Sequence, residues 1–195
     1  MLPHTLIEGL RQRYAEPHRH YHTQQHIDAL LKELHTVPVP IHNREVVEAA
    51  IWFHDAIYDT RRQDNEARSA ELATTQLRDA GWDADKIAFV EKLILATANH
   101  SVAANVLSDV PDAALFLDMD LSILGARTSV YDTYAKNIRQ EFDWVPEADY
   151  RAGRLRVLTR FLAASRLFRT DYYLELDIIA CHNLQREQIA LLGND

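Results

Sequence analysis

The sequence predicts an all-α protein, and three observations carry that expectation. Only five glycines and six prolines punctuate 195 residues, apolar residues recur three and four apart, and alternating Val/Ile/Thr/Tyr runs of strand character are missing. In chain order, a first helix over residues 5–14 must end before Pro17, because the residue ahead of a proline is pushed out of the α region. A second begins near Thr23 and carries Ile27, Leu30, Leu31 and Leu34 at helical spacing. Val37-Pro38-Val39-Pro40 reads as a short extended connector. Asn43 is a good N-cap for a helix that Val46, Val47, Ala50, Ile51 and Phe53 nearly fill on several sides, the pattern of a central, buried element. A polar loop over residues 59–63 follows, then a helix capped by Asp64 and running to about Ala80, where Gly81 supplies the left-handed C-cap. Further helices fit residues 83–98, 113–124, 129–142, 147–164 and 172–192.

No repeat, low-complexity tract or linker interrupts this pattern, so residues 1–195 read as a single compact multi-helix bundle. A chain of this size buries about 70% of its unfolded surface without needing a staple. The lone Cys181 has no intrachain disulfide partner, lacks an activating motif and reads as a small buried hydrophobe. The 21 Lys+Arg against 29 Asp+Glu give a formal charge of −8, which argues against a general grip on nucleic acid or anionic membrane. No targeting or membrane segment is visible, so the expected setting is the cytoplasm. What stands out is ten histidines, with His4, His18, His20, His22 and His26 crowded near the start.

Three polar interruptions carry chemistry. Tyr21-His22-Thr23-Gln24-Gln25-His26 places two imidazoles one turn apart, on one face if the helix has begun by residue 22. It is not a zincin helix, since Thr23 stands where the general-base Glu would follow the first His. His54-Asp55 closes the most apolar helix, where two ionisable groups are costly unless a partner such as a divalent cation compensates them. Asp118-Met119-Asp120 again drops carboxylates after an apolar run. Together His26, His54, Asp55 and one late aspartate form an N2O2 set suited to one divalent metal ion: Mn, Fe, Co, Ni, Zn or Mg.

This order, H … HD … D on an all-α chain, resembles the HD superfamily of metal-dependent phosphohydrolases. The segments Pro17-His18-Arg19-His20-Tyr21-His22, Trp52-Phe53-His54-Asp55, Asp64-Asn65-Glu66 with Ser69-Ala70, Leu117-Asp118-Met119-Asp120-Leu121 and Tyr150-Arg151-Ala152-Gly153-Arg154 look like a bacterial subgroup of predicted HD phosphohydrolases. The resemblance implies an HD-domain bundle, with His26, His54, Asp55 and a late aspartate as metal ligands. Similarity to the Tyr-His-Asn-x-x-His segment of cyclic-nucleotide phosphodiesterases implies that His22 is a proton donor, and Asp120-Leu121-Ser122 resembles the metal-binding Asp-Leu-Ser of that branch, which favours Asp120 over Asp118. The stretch from His54 to Thr60 is similar to the HD-x-x-Glu-Asp-Thr segment of alarmone hydrolases, except that Tyr58 replaces the Glu while Asp59 remains.

The expected activity is hydrolysis of a phosphate ester or anhydride in a small, nucleotide-like substrate through a metal-activated water. Asp59 or Glu66 would orient that water, and His22 would protonate the leaving oxygen. Arg19 and Arg61 or Arg62 would place guanidinium forks against phosphate, with Asn65 and His100 as further contacts to substrate. Asn65 and Glu66 also fit a plain helix start, and His100 also fits a second-metal ligand or a helix C-terminal imidazolium. The alternative is a non-catalytic or regulatory module that holds metal and nucleotide. A ferritin-like di-iron bundle is set aside because no Glu is followed three residues later by His. Oligomeric state has no signature in the sequence.

Overall fold

A computed structural model describes residues 2–98, 100, 110 and 112–193. Among them the chain forms nine α-helices and no strand, as the patterning predicts. They are α1 (His4–Tyr14), α2 (Gln24–Thr36), α3 (Arg44–Phe53), α4 (Asn65–Asp79), α5 (Ala84–Thr97), α6 (Ala113–Leu121), α7 (Thr128–Glu141), α8 (Glu147–Leu162) and α9 (Leu176–Leu192). The chain forms two compact units, Met1–Met119 and Asp120–Asp195. The division falls inside α6, where no glycine, proline or polar linker announces it. No helix of the described residues is long and apolar enough to cross a membrane.

In the first unit α3 is the central element. Seven of its ten residues are buried, Val46, Val47 and Ala49 to Phe53, which is why its sequence is apolar on several sides. Helices α2 and α5 pack on it, and α4 packs along α5. The Tyr14 hydroxyl donates to the Trp52 carbonyl at 3.0 Å and ties α1 to the same helix. The start of α3 is capped twice. Asn43 accepts from the Val46 N–H at 3.3 Å, as expected, while Asp112 accepts from the His42 and Asn43 N–H groups at 3.0 and 2.8 Å. Asp112 sits at φ +68° to make those contacts. Gly81 closes α4 at φ +77°, the left-handed C-cap its position predicts.

Several boundaries differ from the expectation for local reasons. Asp64 does occupy the N-cap position of α4 but makes no side-chain cap bond. Its carboxylate turns to Arg62, accepting from Nε and Nη2 at 2.7 Å each, and this guanidinium holds the Asp64 carboxyl below its ordinary range. Helix α6 stops at Leu121 and tightens into a 3₁₀ turn, Ser122–Gly125, instead of continuing to residue 124. In the second unit Gly125 lies so close to α9 that an added Cβ would meet the Leu176 Cβ at 2.6 Å. Helix α9 begins at Leu176, not 172, because a separate 3₁₀ turn, Asp171–Tyr173, precedes it.

The second unit is organised on buried polar groups as well as on Leu158, Phe168 and Leu184. Arg154 Nε donates to Glu187 Oε1 at 2.7 Å, and the Tyr131 hydroxyl donates to Glu187 Oε2 at 2.5 Å. Asn183 donates to the carbonyls of Leu124 and Ala126 at 2.9 and 2.8 Å, fastening α9 to the 3₁₀ turn. Cys181 is half-buried, and burial followed by the charge of Asp177 raises its thiol above the ordinary value, in keeping with an inert side chain.

Candidate metal centre

The site grows from the C-terminal end of α3. His54 continues the helical backbone one residue beyond Phe53, its N–H donating to the Ala50 carbonyl at 2.9 Å, so its imidazole emerges from the core only 1% exposed. His54 Nδ1 lies 2.9 Å from the Ile51 carbonyl oxygen. A carbonyl only accepts, so Nδ1 carries a proton, which leaves Nε2 as the nitrogen that faces the cluster. Nε2 lies 3.2 Å from His26 Nε2 and 3.0 Å from Asp55 Oδ2. Asp55 Oδ2 is in turn 3.8 Å from His26 Nε2 and 4.0 Å from His22 Nε2.

His26 stands in the first turn of α2, buried at 7% exposure. The helix starts at Gln24, later than the one-face argument for His22 and His26 requires. Thr23 is extended at φ −111° and ψ 178°, and its N–H bonds to the Tyr21 carbonyl at 2.8 Å in a tight turn. That turn, not helical periodicity, brings the two imidazoles to 6.0 Å between ring centroids. On α6, Asp120 presents an oxygen that lies with the imidazole nitrogens of His26 and His54 inside 4.8 Å, and the three could hold a metal ion. Asp118 is two residues earlier, about 200° around the helix, and fully buried.

The donor set fits a divalent cation. Ligand atoms about 2.1 Å from a shared centre lie roughly 3.0–3.4 Å apart along an octahedral or tetrahedral edge. The separations of 3.2 Å between the imidazole nitrogens and 3.0 Å from His54 to Asp55 match such edges, whereas the 3.8 Å from His26 to Asp55 is longer than either. Two imidazoles with one or two carboxylates suit a borderline metal.

The other predicted residues take varied places. Asn65 spends its amide on the backbone of one residue, accepting from the Asp59 N–H at 3.1 Å and donating to the Asp59 carbonyl at 2.9 Å. Asp59 Oδ1 accepts from the Arg61 N–H at 2.9 Å, which folds the loop back on itself. Arg61 is exposed and Glu66 is half-buried in the first turn of α4. Arg62 is engaged with Asp64. His100 is half-buried at φ +48°, past the end of α5.

Arg19 departs from the sequence expectation. Its side chain has 0% exposure, and its donors go to Glu16 and to the carbonyls of His22, Asp55 and Ala56. A fork buried in this way is not presented to a phosphate. Two residues that the sequence motifs contain without assigning them a role shape the site. Tyr58 lies 4.3 Å from the His22 ring at 32°, and Tyr21 is 5.0 Å from both His22 and His26. Their only sequence signal is position, since Tyr21 adjoins His22 and Tyr58 follows His54 by four.

Comparison with protein-family models, with curated proteins and with solved structures returned no match.

Proposed function

We propose that the chain is a metal-dependent phosphohydrolase of the HD type, cleaving a phosphate ester or anhydride of a small, nucleotide-like substrate. The observation that supports this most is the convergence of three imidazole nitrogens within 3.0–4.0 Å of one Asp55 oxygen at the end of a buried helix. His26, His54, Asp55 and Asp120 would hold the metal. A divalent cation at such a site supplies Lewis acidity, acidifying water toward a pKa of about 7 and drawing charge from phosphoryl oxygens.

The chain's own groups supply the rest. His22, at the edge of the ligand cluster, is the proton donor to the leaving oxygen, a role worth about 10²–10⁴ in rate. Asp59 or Glu66 orients the attacking water and accepts its proton. The exposed Arg61, together with His100, serves the anionic substrate, while Asn65 holds the Asp59 backbone of the same loop. The negative charge of −8 disfavours nucleic acid or a membrane surface and is compatible with a small anion, because the acids at the centre would be countered by the cation.

One observation favours the second reading, a module that binds metal and nucleotide without turnover. Tyr58 stands where alarmone hydrolases have a Glu, and its ring lies against His22. The two readings separate in one experiment. Nucleotides and generic phosphoesters are incubated with Mn²⁺, Co²⁺, Ni²⁺ or Mg²⁺ while phosphate release and thermal shift are followed. Phosphate release that is lost in both His54→Ala and Asp55→Ala is the expected result. Turnover in a rigorously metal-free preparation overturns the proposal, and thermal shifts without phosphate release select the binding module.

A further inference from the structure

The proposed chemistry needs His22 and Asp55 held at a constant separation, although one precedes α2 and the other follows α3. We propose that Arg19 is the positioning residue that sets this separation, acting through the backbone of both and never touching substrate. The inference rests on the metal-dependent reading of the same site.

One terminal nitrogen of Arg19, Nη1, donates to both the His22 carbonyl at 3.0 Å and the Asp55 carbonyl at 2.8 Å. A single atom therefore fastens two peptides 33 positions apart in sequence, between residues 22 and 55. Nη2 donates to the Ala56 carbonyl at 3.3 Å, and Nε donates to Glu16 Oε2 at 3.0 Å, which fixes the fork from the other side. The guanidinium lies 5.1 Å from the Tyr14 ring and 5.4 Å from the Tyr58 ring, and Tyr58 in turn lies 4.3 Å from His22. Guanidinium, phenol ring and imidazole thus lie in successive cation–π and ring contacts. The task requires arginine. Lysine has three donors on a compact ammonium, no planar fork for three carbonyls and no flat face for two tyrosines. Partners that orient metal ligands in this way commonly matter 10–100-fold to metal affinity.

Arg19→Lys tests this in the metal-free and Co²⁺-loaded protein, with thermal melts as the control for folding. In the metal-free wild type the Tyr58 ring, 4.3 Å away, is expected to shift the His22 Hε1 resonance upfield. The expected result for Arg19→Lys is a collapse of that shift toward the random-coil value and at least tenfold weaker Co²⁺ binding. An Arg19→Ala variant should regain both when millimolar guanidinium is added, and not when ethylammonium is added. An unchanged His22 resonance and unchanged Co²⁺ affinity in a folded Arg19→Lys protein overturn the inference. If wild type binds no divalent cation, the metal reading fails while the resonance shift still decides the role of Arg19. Should Arg19→Lys fail to fold, Glu16→Ala removes the outer anchor of the fork. It is expected to give a partial loss of the same shift, and its absence would overturn the proposal.

Discussion

The ring of Tyr58 lies 4.3 Å from the imidazole of His22, tilted by 32°, so an aromatic face covers the group proposed to donate a proton. Such pairs contribute about 0.5–1.5 kcal/mol beyond their buried area. Replacing Tyr58 by Leu keeps an apolar neighbour and removes the stacking. Steady-state kinetics on a generic phosphoester with Mn²⁺ should show kcat reduced about tenfold with KM changed much less, since His22 is loosened and no substrate contact is lost.

The two late aspartates should separate cleanly. Asp120 joins His26 and His54 within 4.8 Å, whereas Asp118 is fully buried on another side of the same helix. Asp120→Asn is expected to weaken Co²⁺ binding by about 10–100-fold in calorimetric titration while melting close to wild type. Asp118→Asn should do the reverse, lowering the melting temperature with a smaller effect on affinity. Equal effects on affinity would contradict the assignment.

Stability of the central helix depends on a residue far from it in sequence. Asp112, its side chain 3% exposed, accepts from the His42 and Asn43 N–H groups ahead of α3. Asp112→Ala leaves both donors without this acceptor and should cost about 2–4 kcal/mol in urea unfolding. Asn43→Ala, which removes one cap bond at 3.3 Å, should cost about 1 kcal/mol.

Alkaline pH should destabilise the second unit. Burial pushes the Tyr150 phenol up to about 12, and burial followed by the Glu187 carboxylate raises Tyr131 further still. An acid whose folded pKa lies above its unfolded value of about 10 keeps its proton longer in the native state, so stability is full below pH 10 and falls as pH rises toward 12. For Tyr150 the loss over that window is about 3 kcal/mol. Urea melts at a series of pH values should show the decline, and Tyr150→Phe should flatten it.

How far the site was legible follows from the range of the interactions that build it. The all-α class, the buried character of α3, the Asn43 cap and the Gly81 stop are consequences of spacing and local backbone preference, and each is present in the structure. His26, His54 and a late aspartate stood out because polar groups interrupting apolar runs are expensive without a partner, the Asp-Leu-Ser resemblance favoured Asp120 over Asp118, and the structure brings His26, His54 and Asp120 together. The one-face argument for His22 and His26 depended on a helix starting by residue 22. It starts at Gln24, since the Tyr21–Thr23 turn takes up the preceding residues.

By itself the sequence determined what depends on neighbours a few residues apart: helices, several caps, and the kinds of side chain that could hold a cation. Tertiary structure alone decided the employment of Arg19. An arginine beside histidines reads as a surface charge more readily than as a phosphate contact. Its partners are the carbonyls of Asp55 and Ala56, 36 and 37 residues away. Backbone carbonyls exist at every position and leave no residue-type signature, so only the folded chain shows which of them an arginine fastens.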